Sequence, residues 1–203
     1  FRSTPVAIAA ALVAFALAFC ALFAGWVAPH NPFDLATLEL SDARLPPAWI
    51  EGGSAKYLLG TDDQGRDVLS TIIYGARISL GVGLAAVLLS AALGILLGLA
   101  AGYLGGRLDA FIMRVADIQL SFPAILIALL IDGVARIALP RELHDALAIY
   151  VLVVAIGLSK WVDYARTVRG STLVERNKEY VQAARVIGRH PVAIMVRHVL
   201  PNT

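Results

Sequence analysis

The sequence predicts an all-α polytopic membrane protein, and its composition and the spacing of its charges carry this prediction. Of its 203 residues, 59% are hydrophobic and only 16% are charged, whereas soluble domains carry about 25% charged residues. The apolar residues are gathered into four runs separated by polar segments, as expected for helices that cross a lipid bilayer. The net charge of +2 is too small to predict binding to nucleic acid.

The first two predicted spans contain no charged residue. The first uncharged run covers residues 3–33, and its apolar centre at 5–28 is long enough to cross about 30 Å of hydrocarbon at 1.5 Å per residue. A cleaved signal peptide has a shorter apolar region of about 7–15 residues, so we favour an uncleaved helix. The second run lies between Arg77 and Arg107.

The third predicted span is bounded by charged residues. Its uncharged core lies between Asp117 and Asp132, with Arg114 and Arg136 just outside. An ionised group at the bilayer centre costs roughly 2.5–3.5 kcal/mol, so we expect all four near the two membrane surfaces. The i,i+3 and i,i+4 spacings would let each Asp pair with its neighbouring Arg. Pro123 predicts a kink or a helix start in this segment.

The fourth predicted span covers roughly residues 146–159, and its direction follows from the loop charges. The span continues into Lys160, Trp161 and Tyr164, which we interpret as an interfacial anchor. Residues 163–203 contain seven bases and three acids, and the loop between the first two spans contains three bases and seven acids. Segments rich in Lys and Arg remain in the cytoplasm, which predicts a cytoplasmic tail, a cytoplasmic N-terminus and an external first loop.

These spans divide the chain into three predicted regions. Residues 1–28 form the N-terminal segment and span 1, residues 29–76 form the external loop, and residues 77–203 form the remaining transmembrane domain. The end of the loop has apolar residues on one helical face, which predicts a short surface helix leading into span 2. The residues of that face are Val68, Leu69, Ile72, Ile73 and Ala76.

Three acids precede this surface helix, and a calcium loop and a helix cap are the alternatives for them. Asp62, Asp63 and Asp67 are close in sequence, but Gly65 comes too early for an EF-hand loop and no Glu follows at the required distance. An N-cap Asp, whose carboxylate accepts a free backbone N–H at the start of the helix, is therefore favoured.

A stripe of small residues recurs every four positions in the second span. Such a stripe lets two helix backbones approach closely in lipid. We favour a packing seam inside the bundle, with a homodimer motif as the alternative. The stripe consists of Ser90, Gly94, Gly98 and Gly102.

The sequence contains none of the patterns that we associate with covalent, nucleotide or metal chemistry. No Lys follows a Gly, so there is no P-loop. The single cysteine, Cys20, excludes an internal disulfide within this sequence, and no His-x-x-x-His or G-x-S-x-G pattern occurs. We therefore predict no catalytic residue, no cofactor-binding residue and no metal ligand on this chain.

The basic tail has helical periodicity. Tyr180, Ala184 and Ile187 recur at i, i+4 and i+7. Gly188 follows where a helix would end, and Pro191 suits the first turn of another helix. We therefore predict two short helices that meet at a corner.

This corner could lie on anionic lipid or dock into another protein. A basic amphipathic helix is a common lipid-surface element. The small Ala183–Ala184 pair instead favours close docking into a protein groove.

Four stretches of the chain together resemble one family of transport proteins. The tail sequence QAARVIGRHPVAIMVRHVLPN resembles the E-A-A-x-x-x-G…L-P loop of binding-protein-dependent ABC importer permeases. Three upstream stretches resemble the C-type subunit of the dipeptide/oligopeptide/nickel importer group. They are LGTDDQGRDVLSTIIYGARISL, AGYLGGRLDAFIMRVADIQLSFPAILIAL and WVDYARTVRG. The resemblance implies a multi-pass type I ABC importer permease bundle in the bacterial cytoplasmic (inner) membrane. Two further C-terminal spans are expected, so we expect a truncated chain.

The resemblance assigns the tail a role in coupling. In such permeases this loop forms a coupling helix that docks into a cleft of a separate ATPase subunit. Gly188 would turn the chain, Ala183 and Ala184 would permit close approach, and Leu200 and Pro201 would lead into the next span. The residues implied in ATPase coupling are Tyr180, Gln182, Ala183, Ala184, Gly188, Leu200 and Pro201. Gln182 stands where the family usually has Glu, so a salt bridge is not expected there.

The implied function is import driven by ATP hydrolysis on another chain. The implied partners are a homologous second permease, two ATP-binding subunits that hold ATP and Mg, and an extracytoplasmic solute-binding protein. Short peptides are the expected cargo, with nickel chelates, glutathione or another small solute as alternatives. An intramembrane enzyme using Asp117 or Asp132 and a passive channel are more remote alternatives.

Overall fold

The computed structural model describes residues 4–34 and 38–203. Its helices are α1 Pro5–Leu22, α2 Ala24–Val27, α3 Val68–Leu104, α4 Gly106–Leu120, α5 Ala124–Ala138, α6 His144–Glu175, α7 Glu179–Val186 and α8 Pro191–Ile194. Apart from one isolated bridge between Thr61 and Asp67, the regular structure of these residues is helical, which confirms the predicted all-α class.

Three of the described helices are long and apolar enough to cross a membrane, namely α1, α3 and α6. Helices α4 and α5 pass the same test only together, and they are bent by 94° at the break between them. The four predicted spans therefore correspond to three continuous helices and one bent pair.

The chain divides into two compact units, residues 1–81 and residues 82–203. In the first unit, the polar loop folds back on itself through hydrogen bonds. The Leu45 amide donates to the Thr61 hydroxyl (2.8 Å), and the Thr61 amide donates to the Leu45 carbonyl (3.0 Å). Asp42 accepts from the Tyr57 hydroxyl at 2.8 Å. These bonds give an irregular segment a defined path.

Two predictions for the end of this loop have different outcomes. The predicted Asp cap is confirmed, because Oδ2 of Asp67 accepts from the backbone N–H of Ser70 at 3.0 Å, in the first turn of α3. The prediction of a separate surface helix is wrong, because residues 68–76 form the first turns of α3, which continues to Leu104. No break separates these turns from the predicted second span, since Arg77 and Ser79 are both helical.

In the second unit, Gly105 lies between α3 and α4, and Gly106 is the first residue of α4. Gly105 and Gly106 have φ values of +66° and +59°, in the left-handed region that side chains with a Cβ disfavour. Two successive left-handed residues end α3 and redirect the chain into α4.

The break between α4 and α5 confirms the kink predicted at Pro123. Proline has no backbone N–H and disfavours helical backbone in the residue before it. Helix α4 accordingly ends at Leu120, and Pro123 directly precedes α5. The Ser121 hydroxyl donates to the Asp117 carbonyl at 3.0 Å and so satisfies one carbonyl at the end of α4.

Contacts between α4 and α6 correct two predictions. Asp117 forms an ion pair with Arg166 of α6 at 2.5 Å rather than the predicted pair with Arg114, because α4 packs along α6. Trp161 is buried, and its indole N–H donates to Oε1 of Gln119 at 2.8 Å, so it lies in the core of this unit rather than forming an interfacial anchor. The predicted Asp132–Arg136 pair is confirmed at 2.8 Å.

Candidate functional site

The candidate site is the corner formed by α7, the turn that follows it, and α8. Helix α7 begins with Glu179 in its first turn and has Arg185 in its last turn. Both charges suit the helix dipole, which favours acids near the N-terminus and bases near the C-terminus. The sequence therefore favours a helix here even though it is only 8 residues long.

The turn after α7 is held by a pair of backbone hydrogen bonds. The Arg189 N–H donates to the Ala184 carbonyl at 3.1 Å, and the Gly188 N–H donates to the Arg185 carbonyl at 3.0 Å. This is the Schellman arrangement, which needs a left-handed residue directly after the C-cap. Gly188, with φ +75°, supplies that residue.

The next helix starts as the sequence predicts. Pro191 occupies the first turn of α8, where its missing N–H leaves no hydrogen bond unmade. His190 caps this helix, since its Nδ1 accepts from the Val192 N–H at 3.3 Å. Two short helices therefore meet at a corner, which confirms that prediction.

The inner side of the corner is a hydrophobic cluster. Val181 and Ala184 of α7 are 0% and 4% exposed. They pack in one cluster with residues of α3, of α8 and of the π-helical turn Met195–Val199. The other buried members are Leu99, Tyr103, Ile194 and Val199. Helix α7 is therefore packed against the C-terminal end of α3.

The outer side of the corner is apolar and exposed. Val186 and Ile187 are 86% and 72% exposed, and Ala183 is exposed beside them. The predicted helical period of Tyr180, Ala184 and Ile187 does not extend to Ile187. Ile187 has ψ +8° and lies beyond the last helical turn, so the helical period no longer applies to it. The i,i+3 spacing of Val181 and Ala184 was the signal for the buried face.

The structure separates the seven residues that the resemblance links to coupling. Ala184 is in the core and Leu200 packs against it, whereas Ala183, Gly188 and Pro201 are exposed. Two of the seven make local polar contacts. The amide of Gln182 donates to the Asn177 carbonyl at 3.0 Å, and the Tyr180 hydroxyl donates to Oε2 of Glu175.

The hydrogen bond of Tyr180 and the missing N–H of Pro201 each affect their immediate surroundings. The hydrogen bond to the Glu175 carboxylate raises the pKa of Tyr180 above its ordinary value of 10.0. Pro201 has no N–H to donate to the Arg197 carbonyl, as an α-helix would need. The chain there runs through a π-helical turn and the 3₁₀ turn Leu200–Asn202.

The stripe of small residues in α3 lies against α6. A Cβ added at Gly94 would lie 2.6 Å from the Trp161 carbonyl oxygen, and one at Gly98 would lie 3.0 Å from Cα of Ala165. A Cβ at Gly102 would lie 2.7 Å from Cβ of Thr172. Ser90 is buried, and its hydroxyl donates to the Ala86 carbonyl at 2.6 Å. The two helix axes can approach closely only because these glycines lack a side chain.

The described residues contain no group of three or more His, Cys, Asp or Glu side chains that could hold a metal ion. The carboxylate of the loop residue Asp62 accepts hydrogen bonds from the backbone of its own turn. Its Oδ1 accepts from the backbone N–H groups of Gln64 and Arg66, each at 2.9 Å. This carboxylate organises the backbone of the loop.

Residues 94–203 match the family described as binding-protein-dependent transport system inner membrane component. The chain belongs to this family.

Individual relatives of the chain are permease proteins named for the transport of peptides and glutathione. The chain is 42% identical to the di/tripeptide transport system permease protein DppC of Pseudomonas aeruginosa, over 92% of this chain and 57% of the relative. It is 32% identical to the oligopeptide transport system permease protein OppC of Bacillus subtilis, over 100% of this chain and 60% of the relative. It is 36% identical to the glutathione transport system permease protein GsiD of Escherichia coli, over 100% and 61%. The chain thus spans about three fifths of the length of these curated relatives.

Proposed function

We propose that this chain is part of the permease subunit of an ATP-driven, binding-protein-dependent importer of short peptides. Family membership supports transport across the inner membrane. Relatives named for di/tripeptide, oligopeptide and glutathione transport support a peptide cargo, since glutathione is itself a tripeptide. The chain itself would catalyse no reaction, and ATP and Mg would bind to a partner subunit.

The observation that carries this proposal is the exposed apolar tip of the α7 corner. Val186 and Ile187 are held out from the core by the turn at Gly188, while Val181 and Ala184 fix the other side of α7 to α3. An exposed apolar surface on a structured corner is typical of a docking site. We infer that a cleft of an ATP-binding subunit receives Ala183, Val186 and Ile187.

The proposed assembly follows from this docking and from the loop charges. The corner and the N-terminus would be cytoplasmic, with the acidic loop on the outer side. Two ATP-binding subunits, a second homologous permease and an external solute-binding protein would complete the importer. Hydrolysis on the ATP-binding subunits would move α7 and, through its packed side, the helices that enclose the cargo path.

A substitution at the tip tests the docking proposal in the full-length permease, assembled with its partner subunits in membrane vesicles. Ile187→Asp places a charge in the proposed interface while leaving Val181 and Ala184 in the core. We expect loss of ATP-driven dipeptide uptake and loss of co-purification of the ATP-binding subunit. Val174→Asp is the matched control. Val174 of α6 is 61% exposed, similar to Ile187 at 72%, but it lies outside the corner.

Ala183 and Ala184 provide an internal comparison. Ala183→Trp should block docking but keep the fold, whereas Ala184→Trp should overpack the cluster with Leu99 and Tyr103 and destabilise the corner. Undiminished uptake by Ile187→Asp and Ala183→Trp would exclude the docking role. Transport of a nickel chelate in preference to a dipeptide in the same vesicles would exclude the peptide assignment.

A further inference from the structure

The turn between α3 and α4 is contacted by three arginines that come from α6, from the junction that follows it, and from α7. The turn consists of Gly105 and Gly106. Tyr103 precedes it in the last turn of α3, and Asp109 follows it in the first turn of α4. The three basic residues are Arg169, Arg176 and Arg185. The α7 corner is therefore joined by polar contacts to the point where two long helices of the bundle meet.

The contact nearest to the corner joins α7 to Tyr103. The Arg185 guanidinium lies over the Tyr103 ring, with its central carbon 4.9 Å from the ring centroid. Its Nε also donates to the Tyr103 hydroxyl at 3.3 Å. Tyr103 is only 9% exposed and contacts the same cluster as Val181 and Ala184. Arg185 itself is exposed, so the cation–π attraction here is of the strength found at exposed sites.

Two further contacts hold the turn itself. Arg176, which follows α6, donates from its guanidinium to the Gly102 carbonyl at 2.8 Å and so satisfies a carbonyl in the last turn of α3. Arg169 binds Asp109 of α4 in a bidentate pair, with N–O distances of 2.5 and 2.7 Å. Bidentate guanidinium–carboxylate pairs fix orientation as well as distance.

We propose that Tyr103, through Arg185, is the positioning residue that makes α7 and the α3–α4 turn move as one body, so that a displacement of the corner reaches α3 and α4. The inference rests on the proposed docking of α7 to an ATP-binding subunit. Arg176 and Arg169 extend the same body to α6. A corner attached only by apolar packing could slide over the end of α3, whereas directed contacts on both sides of the turn oppose sliding.

The first test measures the amount of dipeptide imported per ATP hydrolysed by the full assembled importer in vesicles. Tyr103→Leu keeps an apolar side chain but removes the ring, and Tyr103→Phe keeps the ring but removes the hydroxyl. We expect Tyr103→Leu and Arg185→Gln to lower this ratio about two- to fivefold, the effect of losing one cation–π contact at an exposed cation. Tyr103→Phe should keep most of the wild-type ratio.

Arg107→Gln is the control for charge at the same turn. Arg107 is exposed, and no hydrogen bond or ion pair is found for it among the described residues, so its substitution should leave the ratio unchanged. Equal ratios for Tyr103→Leu and Tyr103→Phe would overturn the proposal. All Tyr103 and Arg185 variants should retain the bound ATP-binding subunit. Loss of that subunit from Ile187→Asp reports on docking alone, so the docking proposal and the positioning proposal can fail independently.

A cross-link provides the second test. In a permease without Cys20 or any other native cysteine, Tyr103→Cys combined with Arg185→Cys removes both partners and should lower the ratio. A short thiol cross-linker between positions 103 and 185 should restore it, because a covalent bond then replaces the lost contact. Failure of the cross-linked importer to recover, with the ATP-binding subunit still attached, would show that α7 must move relative to α3 and would overturn the proposal.

Discussion

At the scale of single residues, Asp42 organises the loop that precedes α3. Its carboxylate accepts from the Tyr57 hydroxyl at 2.8 Å and from Nζ of Lys56 at 3.3 Å. Its backbone carbonyl accepts from the Thr61 hydroxyl. The Tyr57 hydrogen bond, with help from Lys56, holds the pKa of Asp42 below its ordinary value of 3.8. The loop therefore prefers the ionised carboxylate.

This preference predicts a pH dependence of loop stability. A carboxyl group whose pKa is lower in the folded state stabilises that state above the unfolded pKa, and the stabilisation is lost as the pH falls through the folded pKa. We expect the amide protection factors at Leu45 and Thr61 to decrease when the pH is lowered below 3.8. Asp42→Asn should lower the same protection factors already at neutral pH. Hydrogen exchange measures both effects. Asp63→Asn, at an exposed position of the same loop, is the control, and equal protection in the two variants would contradict this prediction.

At the scale of helices, the closeness of α3 and α6 depends on glycine. Gly94, Gly98 and Gly102 face α6 at distances that leave no room for a Cβ. Other glycines of α3, such as Gly83, would meet nothing within 4 Å. The same residue type therefore has different consequences at two positions along one helix, depending on whether α6 packs there.

Paired substitutions test this difference. Gly98→Ala should destabilise the protein by about 1–3 kcal/mol through overpacking, although alanine favours a helix by about 1 kcal/mol relative to glycine. Gly83→Ala should keep only the helical gain and raise the melting temperature. Thermal unfolding of the full-length permease in detergent compares the two. A rise for both variants would mean that α6 does not pack on this side of α3.

At the scale of the whole molecule, membrane topology depends on the bent pair α4–α5. Residues before α4 and after α5 lie on opposite membrane surfaces if the pair crosses the bilayer, and on the same surface if it re-enters. A 94° bend is compatible with both. The loop charges favour a crossing, because they place the turn before α4 in the cytoplasm and the turn after α5 outside.

Cysteine labelling tests the crossing. Arg107 precedes most of α4 and Arg141 follows α5, and both are exposed. In a full-length permease without native cysteines, an impermeant maleimide added from outside should label Arg141→Cys and spare Arg107→Cys. Disrupting the membrane should expose both. Labelling of both positions from the same side of sealed vesicles would identify a re-entrant pair.

The sequence by itself determined the helical class, the long apolar helices, the cap at Asp67, the break at Pro123 and the corner at Gly188. Each of these follows from local chemistry, because hydropathy, proline, glycine and capping side chains act within a few residues. Only the tertiary structure decided that Asp117 binds Arg166, that Trp161 is buried beside Gln119, and that Ala184 faces inward while Ile187 faces outward. These features depend on which side of one helix meets another, and residues far apart in the sequence set that choice. The spacing of Val181 and Ala184 marks one apolar side of α7, but no period along a single helix tells which other helix that side will meet.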